Sequence, residues 1–245
     1  MRPLSRRNNR TSVVLAFLLA TLAPGASAEQ ATVAPSFEQV GAATQAQLVE
    51  RWWQWANRVP PGVRPYQDPS GAQCGLNQSG DVWFLAGTDG TADINRRCKL
   101  TSDKYVFFPV IAMLGSSRPG TTLTCAQAIA RAMANNGHLA HAEVLIDGEA
   151  VPQLASHRIG TPHCFDAYPV APYLSGAKSY FPAATDGYWL LLRPLPPGEH
   201  HVRVRARYDN PGNELGNLEQ VFDYDLQVEL PAPAAPKPDH HPDYI

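Results

Sequence analysis

The sequence predicts a mainly β protein, an antiparallel β-sandwich with an N-terminal amphipathic helix and a second short helix on its flank. About seven or eight short runs of aromatic and β-branched residues are separated by Gly, Pro, Asn, Asp and Ser, which is typical of packed antiparallel strands. Two segments instead have the spacing of apolar residues that an amphipathic helix needs. This mixture predicts two layers of sheet with helices packed against them.

The first 28 residues have the organisation of a cleaved signal peptide. Four arginines fall within the first ten residues, an apolar run covers residues 13–23, and Ala26-Ser27-Ala28 forms a cleavage site. The apolar run is too short to span a bilayer comfortably, so it predicts cleavage rather than anchoring. We therefore expect an exported protein, periplasmic or extracellular, with no membrane span after signal cleavage.

Charge limits the class of partner. Once the four signal arginines are taken from the 20 basic residues, 16 remain against 22 acidic residues, a net charge of −6. A nucleic-acid partner would require a basic surface, so we expect none. No cofactor motif is present and we expect no cofactor, while the oligomeric state stays open.

All four cysteines, Cys74, Cys98, Cys125 and Cys164, follow the signal peptide. An even number of cysteines in an exported chain predicts two disulfides, for which three connectivities exist. We favour the sequential pairing, Cys74–Cys98 and Cys125–Cys164, because each bond then closes a loop within one structural unit. Each closure is worth about 3–4 kcal/mol in the chain-entropy model. The absence of a CxxC motif argues against a redox or zinc role.

The sequence predicts one folded domain between two irregular ends. Residues 29–35 are expected to be a flexible N-terminus, residues 36–230 a single domain, and residues 231–245 a Pro-rich disordered tail.

A helix is predicted over residues 36–58. Ser36 can cap it, apolar residues recur along one stripe, and two prolines and a glycine stop it after residue 58. Trp52 and Trp55 are expected to bury this stripe against the sheet, because each buried ring removes about 150–250 Å² from water. The alternative is that the tryptophans stack on sugars, and Trp53 is expected to be the most exposed of the three.

The other elements follow from strand-like runs and turn residues. We expect an antiparallel meander, a second helix that Gly137 ends as a left-handed C-cap, and a C-terminal hairpin followed by a last strand. The expected strands are residues 82–87, 94–99, 104–113, 187–195, 200–208 and 221–230, and the second helix is residues 125–136. Residues 141–151 are expected to form a strand, an Asp147-Gly148 turn and the beginning of the returning strand. Residues 152–185 are expected to form a long Pro- and Tyr-rich loop, and such loops are usually functional or poorly ordered.

Four motifs stand out: WWxW at 52–55, CxxxQxGxVWFLAG at 74–87, RxC followed by FFP at 96–98 and 107–109, and DGYWLLLRPLPPGEH at 186–200. Together they resemble a family of exported bacterial and archaeal proteins of uncharacterised function, over residues 48–230. Most of the motif positions are aromatic, Gly and Pro residues, which serve packing and turns. The resemblance implies an export route, the fold and a Cys74–Cys98 disulfide in the common framework, and it carries over no catalytic residue.

The irregular segment before residue 186 holds the candidate ligand-binding residues. They are side chains that can stack on a sugar or hydrogen-bond to it, namely Arg158, His163, Asp166, Tyr168, Tyr173 and Tyr180. Binding residues concentrate on loops that a rigid scaffold positions, and a Cys125–Cys164 bond would pin this one. The alternative, which the sequence favours, is a Pro-rich cover whose tyrosines bury the edges of the sandwich.

Metal and catalytic candidates carry weaker signals. His138, His141 and Glu143 form the most metal-like cluster, but we expect them to be solvated residues around a strand and predict no metal site. The G-x-S-x-G motif of serine hydrolases is absent. Glu143, Asp166 and Asp186 could provide a glycosidase carboxylate pair, although any chain with 22 acidic residues offers such pairs.

Three hypotheses for function follow. The first is an exported non-catalytic binding or interaction module whose ligand is a cell-envelope or extracellular polysaccharide. The second is a secreted hydrolase that acts on such a polymer, and the third is a purely structural envelope protein. Two carboxylates that converge in a groove would favour the hydrolase, whereas dispersed carboxylates and an aromatic strip would favour binding.

Overall fold

The computed structural model describes residues 33–90, 94–169, 180–213 and 215–233 of the chain. The predicted signal peptide lies outside these residues, as do residues 29–32 and 234–245. Within the described residues the protein is mainly β, with ten strands, two α-helices and two short 3-10 helices. Neither α-helix of this described part has the length and apolar character that crossing a membrane demands.

The elements are numbered in chain order. The strands are β1 (Val33–Ala34), β2 (Val82–Phe84), β3 (Ile94–Thr101), β4 (Tyr105–Ser116), β5 (Leu139–Ile146), β6 (Glu149–Ala150), β7 (Arg158–Gly160), β8 (Ala183–Leu192), β9 (Gly198–Tyr208) and β10 (Glu219–Glu229). The α-helices are α1 (Gln45–Ala56) and α2 (Cys125–Met133), and the 3-10 helices are Pro65–Gln67 and Leu154–His157.

The strands form two five-stranded sheets. The order in the first sheet is β1-β8-β4-β2, with β7 against another stretch of β8, and the order in the second is β3-β10-β9-β5-β6. In β9, Val202 and Val204 are buried while Arg203 and Arg207 are exposed, so the second sheet has one buried and one wet face. This alternation confirms the prediction for residues 200–208.

Two predicted strand pairings are wrong. The expected meander of residues 82–113 does not exist, because β2 runs parallel to β4 while β3 lies in the second sheet, parallel to β10. The expected hairpin of residues 187–208 is also split, since β8 belongs to the first sheet and β9 to the second. The sheets are therefore mixed rather than purely antiparallel. In both cases the chain changes sheet between strands that are neighbours in sequence.

The two sheets share one hydrophobic core. Phe108 and Leu190 of the first sheet and Val204, Phe222 and Leu226 of the second belong to a single buried cluster. Each of these side chains is at most 1% exposed. Burial of apolar surface at about 25 cal/mol per Å² makes this cluster the main stabilising contact between the sheets.

Helix α1 begins at Gln45 and not near Ser36. Its N-cap is Thr44, whose side chain accepts a hydrogen bond from the Gln47 backbone while the Gln47 side chain accepts one from the Thr44 backbone. This capping box satisfies two backbone N–H groups that a helix start leaves unpaired. Phe37, expected on the helical stripe, is 84% exposed.

Three tryptophans of α1 pack the helix onto the first sheet. Trp52 and Trp55 are 2% and 4% exposed, whereas Trp53 is half-buried, which confirms the predicted roles. The ring centroid of Trp52 lies 5.4 Å from that of Trp189, and Trp55 lies 5.6 Å from Phe84. These aromatic contacts form a second core on the face of the sheet opposite the shared core.

Both disulfides join the cysteines of the sequential pairing, Cys74 to Cys98 and Cys125 to Cys164. The first attaches the segment before β2 to the middle of β3. The second attaches the first residue of α2 to the segment that precedes β8. Two disulfides indicate an oxidising environment, as exported proteins experience.

Helix α2 packs closely on β4. A Cβ atom added to Gly115 would lie 2.2 Å from the backbone oxygen of Ala128, so the helix can approach this far only over a glycine. The helix ends at Met133 with Ala134 as its C-cap, and the predicted end at Gly137 is wrong. Residues 134–138 instead continue as overlapping turns, in which Asn136 and His138 donate to backbone oxygens three residues earlier.

The predicted loop at residues 152–185 is only partly irregular. It contains the 3-10 helix Leu154–His157 and β7, and β8 begins at Ala183. Strand β7 is only three residues long, too short for alternation to reveal it in the sequence. Residues 170–179 lie outside the described part of the chain.

Candidate functional site

A pocket of about 230 Å³ lies between helix α1, strand β4 and the segment that leads into β10. One side is aromatic and consists of Trp52, Trp53 and Tyr66. The polar lining residues, called the rim below, are the buried Thr88 and Gln220 and the exposed Asp89, beside Gly87. The remaining side is formed by Pro109, Ile111, Ala112, Met113, Leu114, Leu215 and Leu218.

Trp53 offers a fixed aromatic surface to this pocket. Its indole Nε1 donates a hydrogen bond of 2.9 Å to the hydroxyl of Thr185, which in turn donates one of 2.7 Å to the backbone oxygen of Met113. Behind it, Trp52 meets the Trp53 ring edge-on at 4.9 Å and donates through Nε1 to Leu85. The polar edges of both rings therefore face protein partners, and their orientation is set before any ligand arrives.

Tyr66 extends the aromatic side from the 3-10 helix Pro65–Gln67. Its hydroxyl accepts a hydrogen bond of 2.6 Å from Nη1 of Arg64. The Arg64 guanidinium carbon lies 5.8 Å from the centroid of the Tyr66 ring and 5.9 Å from that of Tyr168. Cation–π contact on both sides of Arg64 thus joins Tyr66 to the segment before β8.

The rim is held by a side-chain clamp. The amide oxygen of Gln220 accepts a 2.7 Å hydrogen bond from the Thr88 backbone, and its amide nitrogen donates to the Thr88 oxygen at 2.9 Å. Asp89 follows, with Gln67 donating to one carboxylate oxygen at 3.4 Å. Because a carboxylate can accept several hydrogen bonds, Asp89 can also receive them from a hydroxyl or amide group.

The aliphatic side is formed where two chain segments meet. Strand β4 shifts register against β8 between Pro109 and Ile111, and Leu114 follows on the same strand. Opposite it, Leu215 is 55% exposed and has a φ of +59°, a left-handed conformation that leucine rarely adopts. The Leu215 oxygen accepts a hydrogen bond of 3.0 Å from Asn135, which helps to hold this conformation.

Four predicted ligand-binding residues do not line the pocket but belong to the segment before β8, residues 161–169 and 180–182, which we call the cover. His163 Nε2 lies 3.2 Å from Oε1 of Glu50 on α1. Asp166 accepts a hydrogen bond of 2.8 Å from the Tyr168 backbone, and Tyr168 packs on Tyr180 with ring centroids 4.8 Å apart. Burial raises the pKa of the Glu50 carboxyl, and His163 only partly opposes this rise.

Helix α1 holds this cover in place. Gln54 donates a hydrogen bond to the Asp166 backbone oxygen at 3.0 Å, and Asn57 donates to that of Ala167 at 3.2 Å. Tyr168 and Tyr180 belong to a small hydrophobic cluster against which Trp53 also packs. The segment therefore buttresses the aromatic side of the pocket from behind, which supports the cover interpretation of its tyrosines.

Arg158 joins a different cluster. Its Nε lies 2.9 Å from Oδ1 of Asp186, and burial raises the pKa of the Asp186 carboxyl despite this contact. Asn136 donates a hydrogen bond to the Asp186 backbone oxygen at 3.0 Å and accepts one from the hydroxyl of Tyr208, while its own backbone oxygen accepts one from Tyr188. Burial also raises the pKa of Tyr208. The cluster ties both sheets to the end of α2.

The other candidates are dispersed. Glu143 is exposed on β5 of the second sheet, whereas Asp186 is buried on β8 of the first. His138, just before β5, and His141, within β5, are both exposed. Among the described residues no group of three His, Cys, Asp or Glu could hold a metal ion. Tyr173 lies outside the described residues.

None of the pocket residues is among the predicted ligand-binding residues. Trp53 carries one sequence signal, since it is the tryptophan expected to be most exposed. The other lining residues come from segments near residues 66, 88, 111 and 217, which only the fold brings together.

These features define a mainly β protein with two sheets, two disulfides and an aromatic-lined pocket. Comparison of the chain with models of known protein families, with curated proteins and with solved structures finds no match. The resemblance based on the four motifs stays a prediction.

Proposed function

We propose that this protein is an exported, non-catalytic binding module on a β-sandwich scaffold, periplasmic or extracellular. Its proposed ligand is a cell-envelope or extracellular polysaccharide, bound through one sugar residue in the pocket beside Trp53. The observation that carries this proposal is the pairing of a fixed aromatic surface with a polar rim in one concave site.

The chemistry of the pocket suits a sugar ring. A pyranose has an apolar face of C–H groups and a polar edge of hydroxyl groups. The half-buried ring of Trp53 can stack on the apolar face, and the Asp89 carboxylate can accept hydrogen bonds from hydroxyls at the edge. A few placed polar groups around an apolar surface are the usual composition of small-molecule sites.

The hydrolase alternative has less support. It needs two carboxyl groups in one groove, but Asp186 is buried and paired with Arg158, while Glu143 lies on the other sheet. Asp166 is exposed and accepts a hydrogen bond from the Tyr168 backbone. A purely structural role does not account for the preformed pocket, so we rank the structural hypothesis third.

A glycan screen tests the proposal. Envelope and extracellular polysaccharide fragments are titrated into the purified protein, with tryptophan fluorescence and calorimetry for binding and a reducing-sugar assay for turnover. We expect binding to at least one glycan with no product release. Tyr66→Ala is expected to weaken that binding about tenfold, which corresponds to about 1.4 kcal/mol.

The matched control is Phe37→Ala, which removes an 84% exposed aromatic ring outside the pocket and should leave binding unchanged. Circular dichroism and thermal melts establish that both variants are folded. Release of sugar products would favour the hydrolase. Failure to bind any glycan, or full affinity in the Tyr66→Ala variant, would reject the proposed site.

A further inference from the structure

The polar groups of the pocket are distributed unevenly. The indole N–H groups of Trp52 and Trp53 both donate to protein oxygens, and the Gln220 amide is engaged by the Thr88 backbone. The rim also contributes the Asp89 carboxylate, which accepts a hydrogen bond from Gln67 and, like other carboxylates, can accept more than one. The rest of the non-aromatic lining, called the aliphatic side, consists of the apolar side chains of Pro109, Ile111, Ala112, Met113, Leu114, Leu215 and Leu218.

A fully hydroxylated sugar fits such a pocket poorly. Each hydroxyl that is turned toward the aliphatic side loses its hydrogen bonds to water and gains no protein partner in return. An unpaired buried hydroxyl is costly, whereas a methyl group in the same place gains free energy by leaving water.

Leu215 is a second reason to expect a methyl group rather than a hydroxyl in the pocket. Leucine at a φ of +59° is strained, and a 55% exposed leucine gains little from burial. Asparagine would adopt this backbone conformation more easily and would suit an exposed position better. Folding stability alone therefore does not favour a leucine at position 215.

We infer that the pocket takes a sugar residue bearing a methyl group, either in an acetyl substituent or as a deoxy carbon, with that group against Leu114, Leu215 and Leu218. The inference rests on the proposed function and adds the class of sugar. The apolar substituent occupies the aliphatic side, the ring stacks on Trp53, and the hydroxyl or amide donors point to Asp89.

The volume of the pocket indicates how much of a polymer enters it. At about 230 Å³ it is smaller than the roughly 300–1,000 Å³ typical of sites for drug-sized ligands. One substituted ring is thus the unit that the pocket holds, so the recognised residue is a chain end or a branch.

Matched pairs of ligands test the inference. Chitotetraose carries acetamido groups where cellotetraose carries hydroxyls, and L-fucose carries a methyl group where L-galactose carries a hydroxymethyl group. We expect at least one methyl-bearing member to bind about tenfold more tightly than its partner, the size of a methyl-group contact in an apolar pocket. The first pair reports acetyl recognition and the second reports deoxy recognition.

Leu215→Asn separates the ligand contact from folding. We expect the thermal midpoint to stay unchanged or rise, while the preference for the methyl-bearing ligand falls below about threefold. Leu230→Asn is the control, because Leu230 is 74% exposed and does not line the pocket. This control should keep the full preference.

The outcomes are distinguishable. Equal affinities within both ligand pairs, with Tyr66→Ala still weakening binding, would overturn the inference and leave the binding module intact. Binding of no glycan in any arm would overturn the proposed function itself. An unchanged preference in Leu215→Asn would also reject the assignment of the aliphatic side.

Discussion

Arg96 donates a hydrogen bond to the hydroxyl of Tyr224, with Nη1 and the oxygen 3.0 Å apart. The same guanidinium lies over the Tyr224 ring at 5.4 Å and donates to the backbone oxygens of Asp68, Ala86 and Gly87. Arg96 is only 1% exposed. Through this one side chain, β3 and β10 are joined to the segments on either side of β2.

Arg96→Met keeps most of the side-chain volume but removes every donor. The three backbone oxygens then lose a buried partner, and we expect the free energy of unfolding to fall by about 3 kcal/mol or more. Tyr224→Phe removes a single hydroxyl and should cost about 1–2 kcal/mol. Urea denaturation measures both changes.

The control is Arg97→Met at the next position, where the side chain is 88% exposed beside Asp225. Exposed ion pairs contribute little, so its stability should change by less than about 1 kcal/mol. Equal midpoints for the Arg96 and Arg97 variants would show that the buried guanidinium is not a structural anchor.

Gly115→Ala should loosen the contact between α2 and β4. The added methyl group would lie 2.2 Å from the Ala128 backbone oxygen, so the helix must shift, at a cost of about 1–3 kcal/mol. Gly137→Ala is the control, because nothing lies within 4 Å of its added Cβ. Thermal melts that give both variants the same midpoint would contradict the close packing.

Replacement of Cys125 and Cys164 by serine should release the cover from α2. The closed loop spans a sequence separation of 39, and its loss is expected to cost about 3–4 kcal/mol in the chain-entropy model. Limited proteolysis should then cut within residues 161–169 faster than in the native protein. Unchanged stability together with unchanged proteolysis would mean that contacts with α1 alone hold the cover.

Asp68 should contribute to acid sensitivity. Burial alone would raise the pKa of its carboxyl, but hydrogen bonds from Gln73 and Ser70 outweigh burial and lower the pKa below the usual 3.8. A lowered folded pKa stabilises the protein above the unfolded pKa, and this stabilisation disappears as the pH falls through the folded value. The loss therefore occurs below about pH 4.

The test is Asp68→Asn, with unfolding free energies measured from pH 7 down to pH 2. The variant should be less stable at pH 7, and the gap to the native protein should narrow below about pH 4. Asp209→Asn, at an exposed position, controls for the loss of one negative charge. A constant gap across the pH range would rule out this role for Asp68.

The spacing of apolar residues predicts where strands lie better than it predicts which strands pair with each other. The alternation in residues 200–208 reflects burial of one strand face, a local property that the sequence records directly. The pairing of β2 with β4 and of β3 with β10 depends on where the chain changes sheet, which no local pattern encodes. Proximity in sequence is therefore a poor guide to partners here.

The predicted start of α1 at Ser36 is wrong because the local sequence offers two possible N-caps. Ser36 and Thr44 are both good N-cap residues, and each has a glutamine three residues later, Gln39 and Gln47, so both match the capping-box pattern. The turn at Val40–Ala43, with Gly41 at a φ of +59°, separates Ser36 from the helix. The capping-box pattern therefore does not choose between the two starts, and the turn is what places the start of α1 at Gln45.

Only part of the pocket lining falls in the sequence motifs, namely Trp52, Trp53, Gly87 and Pro109. Tyr66, Thr88, Leu114 and Leu215 belong to separate segments, and each is an ordinary residue in its own neighbourhood. The Tyr-rich composition of the cover predicts ligand-binding residues there. In the structure, Tyr168 and Tyr180 pack on each other, next to Trp53. Composition alone does not distinguish a surface that binds a ligand from one that supports it.

The parallel pairing of β3 with β10 sets Ile94 beside Phe222. Because β3 is the outer strand of the second sheet and, in the part of the chain that the structure describes, pairs only with β10, it cannot join the sheet before β10 is in place. Closing so long a stretch of chain costs entropy before any contact is gained, and such topologies assemble slowly. We therefore expect this edge of the second sheet to form late in folding, after the segments that lie between β3 and β10 in the chain.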